Sequence, residues 1–304
     1  MEVQIKDIYK AYGDHQALKG VSMDIPEGSI FGLLGPNGAG KTSLIRILNQ
    51  ITAPDSGQIL LNGAPLKKED VHRIGYLPEE RGLYKKMAVG EQATYLARLK
   101  GLDRREARSA LKYWFERFEI QDWWGKKVEE LSKGMAQKIQ FITTVLHEPQ
   151  LLIFDEPFSG FDPINAELIK NEILELNQKG TTILFSTHRM ESVELLCQHI
   201  ALINRSEVIL SGSLEDIRDR YRDRTYAIVM RMEEQKTTEL PEGSERIDEH
   251  QKGQERHLKV RLADGMQTDA LLQKLMLSGR IERFEEVIPT VNEIFIKSVS
   301  ESHE

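Results

Sequence analysis

The chain has 304 residues, 40% of them hydrophobic and 29% charged, with a formal net charge of −7. That mix supplies enough apolar surface for one or two packed domains and excludes a disordered chain. The acidic balance argues against a chain that grips a nucleic-acid backbone, which needs clustered Lys and Arg, and the single cysteine, Cys197, excludes an intrachain disulfide.

No run approaches the roughly 20 apolar residues that cross a bilayer, and the charged stretch 1–12 lacks an apolar signal core. Any membrane role is therefore expected to come through a partner. In chain order, residues 29–34 (SIFGLL) read as a buried strand and 41–50 as a helix. Residues 88–118 take helical spacing, marked by Tyr95, Leu96, Leu99, Leu111, Trp114, Phe115 and Phe118, and predict a helical insert. Residues 150–154, 181–186 and 200–204 are further continuous apolar runs, which suit parallel strands covered on both faces.

Composition shifts after Ile217. Residues 218–224 (RDRYRDR) read as a solvated helix end. Residues 225–232 and 257–262 alternate as strands, 268–278 read as a helix, 281–288 as a strand and 291–299 as a closing helix. Residues 233–254, with Pro241, Gly243, Gly253 and few apolar side chains, read mostly as loop. The expectation is an α/β body followed by a small α+β domain, for which a ferredoxin-like arrangement is one form.

The strongest chemical signal is Gly35-Pro36-Asn37-Gly38-Ala39-Gly40-Lys41-Thr42, a GxxxxGK[ST] P-loop with a strand before it and a helix after it. Its glycines let the backbone curl so that N–H groups face phosphate oxygens, and the helix N-terminus adds partial positive charge. Lys41 neutralises phosphate charge, the Thr42 hydroxyl ligates magnesium, and Ser43 extends the loop. A chance glycine-rich turn is the bland alternative, and the flanking elements disfavour it.

The apolar run 151–154 then ends in Asp155-Glu156 and delivers two carboxylates to a strand's C-terminal edge, where α/β ligands bind. Asp155 is expected at the magnesium and Glu156 at the attacking water. Such a pair alone is more often a helix cap. Beside a P-loop, the catalytic reading wins. His188 follows another apolar run and is expected at the same edge, near the γ-phosphate, although a lone histidine is usually structural.

These elements, in this order, resemble the nucleotide-binding domain of ABC proteins. Leu131-Ser132-Lys133-Gly134-Met135 resembles the LSGGQ signature that other P-loop families lack, departing at Lys133 and Met135. The resemblance implies that Ser132 and Gly134 touch the γ-phosphate of ATP held by the opposite subunit. It also places Tyr12 on the adenine, makes 159–162 (SGFD) the D-loop with Asp162 reaching the partner, and makes 74–79 (IGYLPE) the Q-loop segment. There Glu79 stands where glutamine is usual, and a carboxylate ligates magnesium at least as well as an amide.

The resemblance covers about 1–217, with a helical subdomain at about 88–145, and leaves 218–304 as an accessory domain. The sequence around Glu80 and Tyr84, Lys133 and the C-terminal segment is similar to a bacterial branch of export ATPases, often linked to sodium efflux or antibiotic resistance. The implied function is an ATP-hydrolysing motor that uses ATP and Mg2+. It would pair with a second copy of itself or a homologous ATPase subunit, drive a separate transmembrane permease from the cytoplasmic face of the membrane, and bind no nucleic acid. A soluble ABC ATPase acting on ribosomes or DNA is the alternative. It is disfavoured by a single P-loop, by the short span 79–131 without heptads, and by the acidic charge. A nucleotide-gated module without turnover is disfavoured by the presence of Lys41, Asp155, Glu156 and His188.

Overall fold

The computed structural model describes residues 1–80, 82–232 and 240–301. It divides into two compact units, Met1–Leu214 with Phe295–Glu304, and Glu215–Ile294. The sequence reading differs in assigning the last segment, from Phe295 on, to the second domain.

The first unit opens with the antiparallel strands β1 (Val3–Tyr12) and β2 (His15–Ile25), followed by β3 (Ile30–Leu34) and α1 (Lys41–Leu48). Strands β4 (Ser56–Leu61) and β5 (Ala64–Pro65) complete an antiparallel sheet ordered β2-β1-β4-β5. Strand β6 (Ile74–Leu77) leads into α2 (Val89–Leu99), α3 (Arg104–Arg117) and α4 (Lys133–Val145), which occupy the expected helical insert. Then come β7 (Leu151–Asp155), α5 (Pro163–Gln178), β8 (Thr182–Thr187), α6 (Met190–Leu196), β9 (His199–Asn204) and β10 (Glu207–Ser213). The second sheet is ordered β10-β9-β3-β8-β7-β6. Its strands are parallel except for β10, which pairs antiparallel with β9.

Every residue of β3, β7 and β8 is buried, which is why these strands read as unbroken apolar runs. The polar members are Asp155 and, in β8, Thr182, Ser186 and Thr187; Asp155 closes β7 as a paired strand residue opposite Ser186. The antiparallel sheet is less legible. Val3, Ile5 and Ile8 all point to the core, but register shifts in β1 and a positive φ of 49° at Asp7 break the period-two alternation. One apolar cluster joins Val3, Ile5 and Val21 of this sheet to Leu44, Ile45 and Leu48 of α1 and to Phe31, Leu33 and Ile153 of the parallel sheet.

The helical insert is tied to the body by an aromatic series and an ion pair. Phe141 of α4 stacks on Phe154 of β7 at 5.9 Å and meets Trp114 of α3 edge-on at 6.2 Å. Arg117 at the end of α3 donates through Nε to both carboxylate oxygens of the buried Glu172 on α5, at 2.8 Å each, and also reaches Glu175.

The elements after β10 are α7 (Leu214–Tyr221), β11 (Thr225–Met232), β12 (Ser244–Lys252), β13 (Glu255–Leu262), α8 (Thr268–Ser278), β14 (Gly279–Glu286) and α9 (Val291–Glu301). The antiparallel sheet β12-β13-β11-β14 buries Ile228, Met230, Leu258 and Val260 against Leu271 and Leu275 of α8, an α+β unit with its own core. Two expectations change here. Residues 244–252 form a strand rather than loop: β12 is an edge strand paired to β13 through its backbone, and its mostly exposed polar side chains carry no apolar alternation. The loop expected over 233–239 lies outside the described residues. The order of described elements, β-β-β-α-β-α, also differs from the ferredoxin-like β-α-β-β-α-β.

Breaking the α3–α5 tie leaves the Glu172 carboxylate buried without its cation. Arg117→Met should lower the unfolding free energy by about 2–4 kcal/mol, measured by urea denaturation of the unit that holds it. A loss within about 0.5 kcal/mol would show that the pair behaves as an ordinary surface bridge.

Candidate functional site

The parallel strands end level with one another. Leu34 pairs with Thr187, Asp155 with Ser186 and Leu77 with Phe154. The loop after β3, the segment after β6, the end of β7 and the residue after β8 therefore converge on one edge, the usual ligand edge of an open α/β sheet. There a pocket of about 390 Å3 is lined by Tyr12, His15, Ala17, Glu79, Asp155, Glu156, His188 and the run from Asn37 to Ser43.

The loop's shape depends on its glycines. Gly40, at φ 114°, precedes α1, and a Cβ there would run into the Ala17 carbonyl and Leu18. A Cβ on Gly35 would strike the Ile203 carbonyl. No side chain caps the N-terminus of α1, whereas Asp103, Ser132 and Asp162 cap α3, α4 and α5. Lys41, Thr42 and Ser43, the first residues of α1, line the pocket with no side chain capping their N–H groups, at the positive end of the helix dipole. Gly35 and Pro36 shape the loop from behind and hold Lys41, whose Nζ donates to their carbonyls at 2.7 and 3.1 Å.

In the pocket one lysine faces three carboxylates. Burial lowers the pKa of Lys41, while Glu156, Asp155 and Glu79 work in the opposite direction. Burial raises the pKa of Asp155; Glu79 and Glu156 add to the rise and Lys41 opposes it. The same burial, with Asp155 nearby, pushes the Tyr76 phenol up to about 12. This is a site short of cations unless a metal arrives with the ligand. Thr42, Glu79 and Asp155 contribute hard oxygen donors, while among the described residues no group of three or more His, Cys, Asp and Glu side chains is arranged to hold a metal. That suits magnesium, which is commonly held by one or two carboxylates together with substrate phosphates.

Glu156 is the most constrained side chain of the edge. Its backbone adopts φ 50°, unusual for a residue with a side chain. Its N–H donates to the Ser186 carbonyl at 2.9 Å. Oε1 accepts from the His188 backbone N–H at 2.8 Å and lies 2.6 Å from His188 Nδ1, and Oε2 accepts from the Thr187 hydroxyl at 3.1 Å. Thr187 is a contributor the sequence reading missed. It is the last residue of an apolar strand, and nothing in the pattern separates it from a core threonine.

His15 and Ala17 were also missed. Both lie just past the Tyr12 turn, and their place in the pocket follows from the β1–β2 hairpin pairing, in which Tyr12 faces His15. Tyr12 is 44% exposed, with Lys10 Nζ 5.5 Å from its ring centre. Asp55 holds this strand end by accepting from Lys10 and from the Ala11 N–H, each at 2.6 Å.

Five sequence-selected residues are not among those lining this pocket: Gly35 and Pro36, which hold Lys41 through their carbonyls, and Ser132, Gly134 and Asp162. Ser132 caps α4, accepting from the Met135 N–H at 3.3 Å, and Gly134 follows in the first turn. Asp162 caps α5, accepting from the Ile164 and Asn165 N–H groups at 3.0 Å.

Comparison with known proteins accounts for this arrangement. A family model described as ABC transporter matches residues 18–159, and one described as the C-terminal domain of DrrA1-3-like ATP-binding proteins matches 212–299. The uncharacterized ABC transporter ATP-binding protein YhaQ of Bacillus subtilis is 42% identical over 99% of this chain and 99% of its own. From the same organism, the ABC transporter ATP-binding protein NatA is 35% identical over 71% of this chain and 91% of its own. The linearmycin resistance ATP-binding protein LnrL, also from that organism, is 35% identical over 72% and 71%. Among solved structures, an ATP-binding subunit of an ABC transporter superposes with TM-score 0.68 at 30% identity, covering 73% of this chain and 93% of that one. The chain belongs to the ABC transporter ATP-binding protein family and is an ABC-type ATP hydrolase of the P-loop fold.

Proposed function

We propose that this chain is the motor subunit of an ABC exporter. Two ATPase subunits, copies of this chain or this chain with a homologue, close on ATP and reopen after hydrolysis, driving a separate transmembrane permease from the cytoplasmic face. The observation that carries the reading is the Glu156 carboxylate, fixed by Thr187 and His188 at the strand edge that also bears the P-loop. A carboxylate so placed takes a proton from water as the water oxygen bonds to the γ-phosphorus and ADP leaves. Lys41 offsets phosphate charge, Tyr12 offers a ring to the adenine, and the run Gly35 to Ser43 binds through its backbone and hydroxyls. Bound with ATP, magnesium would be held by Thr42, Asp155 and Glu79 and would supply charge neutralisation.

The need for a second subunit is supported by Ser132, Gly134 and Asp162, which do not line this chain's own ATP pocket. The permease reading is supported by exposed apolar and aromatic side chains on and just before the helical insert. Tyr84, Tyr95, Leu99 and Trp124 are 55%, 45%, 54% and 44% exposed, and Tyr84 packs edge-on to Tyr95 at 6.4 Å. No helix among the described residues is long and apolar enough to cross a membrane, so the spanning element belongs to the partner in this reading. The export direction is supported by the name of the linearmycin resistance relative.

Glu156→Gln keeps the shape of the side chain but removes the base. It should hold ATP while turnover falls about 100-fold or more, and size-exclusion chromatography should then show an ATP-dependent dimer. Normal turnover would remove Glu156 from the catalytic role, and a strictly monomeric ATP-bound form would remove the homodimer and leave pairing with a homologue.

We further propose that the ATPase domain is residues 1–217 and the accessory domain 218–304. A chain ending at Arg224 should remain soluble and bind ATP with affinity within about threefold of the full chain, by calorimetry. Insolubility or lost binding would show that the accessory residues complete the ATPase fold.

A further inference from the structure

Helix α4 carries a polar stripe along one line of its surface. Gln137, Gln140 and Thr144 recur at helical spacing, and both glutamines bond to backbone carbonyls outside the helix. Gln137 donates to the Ser159 carbonyl of the loop after β7. The Thr144 hydroxyl donates to the Gln140 carbonyl of its own helix at 2.9 Å, with the Tyr76 carbonyl farther off at 3.4 Å. Between them, Nε2 of Gln140 donates to the Glu80 carbonyl at 3.3 Å and lies 3.5 Å from the Pro78 carbonyl.

Those carbonyls flank Glu79. Gln140 is 6% exposed, and a buried amide is costly unless its hydrogen bonds are made. Neighbouring Ile139, Phe141 and Ile142 are fully buried, so the helix that carries the amide is fixed in the core. Glu79, by contrast, is exposed and projects into the ATP pocket from the segment that follows β6. Pro78 has no N–H with which to anchor that segment. The anchor is supplied from α4.

We infer that Gln140 is the positioning residue for Glu79: its buried amide grips the backbone on both sides and sets where the carboxylate stands in the pocket. The helix that begins at Ser132 therefore carries the seat of Glu79 two turns further on. The inference rests on the proposed role of Glu79 toward magnesium, and its effect is exerted through Glu79 rather than on ATP itself.

Two variants remove the grip differently. Gln140→Met keeps the length and loses the donor; Gln140→Asn keeps the amide and loses the reach. If one fails to fold, the other serves. In the full-length, nucleotide-free protein, hydrogen–deuterium exchange of segment 77–84 should quicken by about two- to tenfold, the factor that one neutral hydrogen bond sets, with exchange in β7 and β8 unchanged. Unchanged exchange in segment 77–84 overturns the inference. The magnesium concentration for half-maximal ATPase should rise in Glu79→Ala and in each Gln140 variant, and the double variants should rise no further than Glu79→Ala alone. If Glu79→Ala shifts magnesium dependence and the Gln140 variants do not, or the effects multiply, Gln140 does not act through Glu79 and the role of Glu79 stands. If Glu79→Ala itself leaves magnesium dependence unchanged, the reading of Glu79 and the inference built on it both fail.

Discussion

The site depends on level strand ends. Parallel pairing between β3, β8, β7 and β6 fixes the height of each strand against its neighbour, and the last paired residues lie side by side. A slip of one residue would turn Asp155 to the other face of the sheet and away from the pocket. Because these strands are buried on both faces, their register rests on the close fit of their side chains and not on an apolar–polar alternation.

On that edge the chemistry is one of concentrated charge. Lys41 stands among Asp155, Glu156 and Glu79, and burial alone opposes the charged forms of both Lys41 and Asp155. Each keeps its place through neighbours: Lys41 through two loop carbonyls, Glu156 through Thr187 and His188. The arrangement has surplus negative charge on the catalytic side and uncapped N–H groups at α1 on the other. The arrangement suits a phosphate chain, and the proposed magnesium would offset the surplus negative charge.

The helical insert adds a second level of organisation. Aromatic contacts from Trp114 through Phe141 to Phe154, with the Arg117–Glu172 pair, seat the insert against the strand that carries Asp155. The polar stripe of α4 then reaches both the Glu79 segment and the loop at Ser159. A single helix, capped by Ser132, thus touches two of the segments bordering the ATP edge. Any displacement of α4 would reach these segments through direct hydrogen bonds and not through a long chain of contacts.

The sequence by itself determined the P-loop, the Asp155-Glu156 strand end, the parallel strands and the helical insert. Each is written locally, as glycine spacing, continuous apolar runs or helical periodicity. Most of the pocket residues were legible for the same reason, since they sit at the ends of those runs. Tertiary structure decided what depends on pairing across the chain. Thr187 joins the site because β8 lies beside β7, and His15 and Ala17 because a hairpin returns them beside the loop. Strand β1 escaped the pattern because bulges shift its phase, and β12 because an edge strand held by backbone bonds needs no apolar code. The partners of Gln140 were equally hidden: the sequence shows a glutamine in a helix, and only the fold brings to it the carbonyls around Glu79, about sixty residues away.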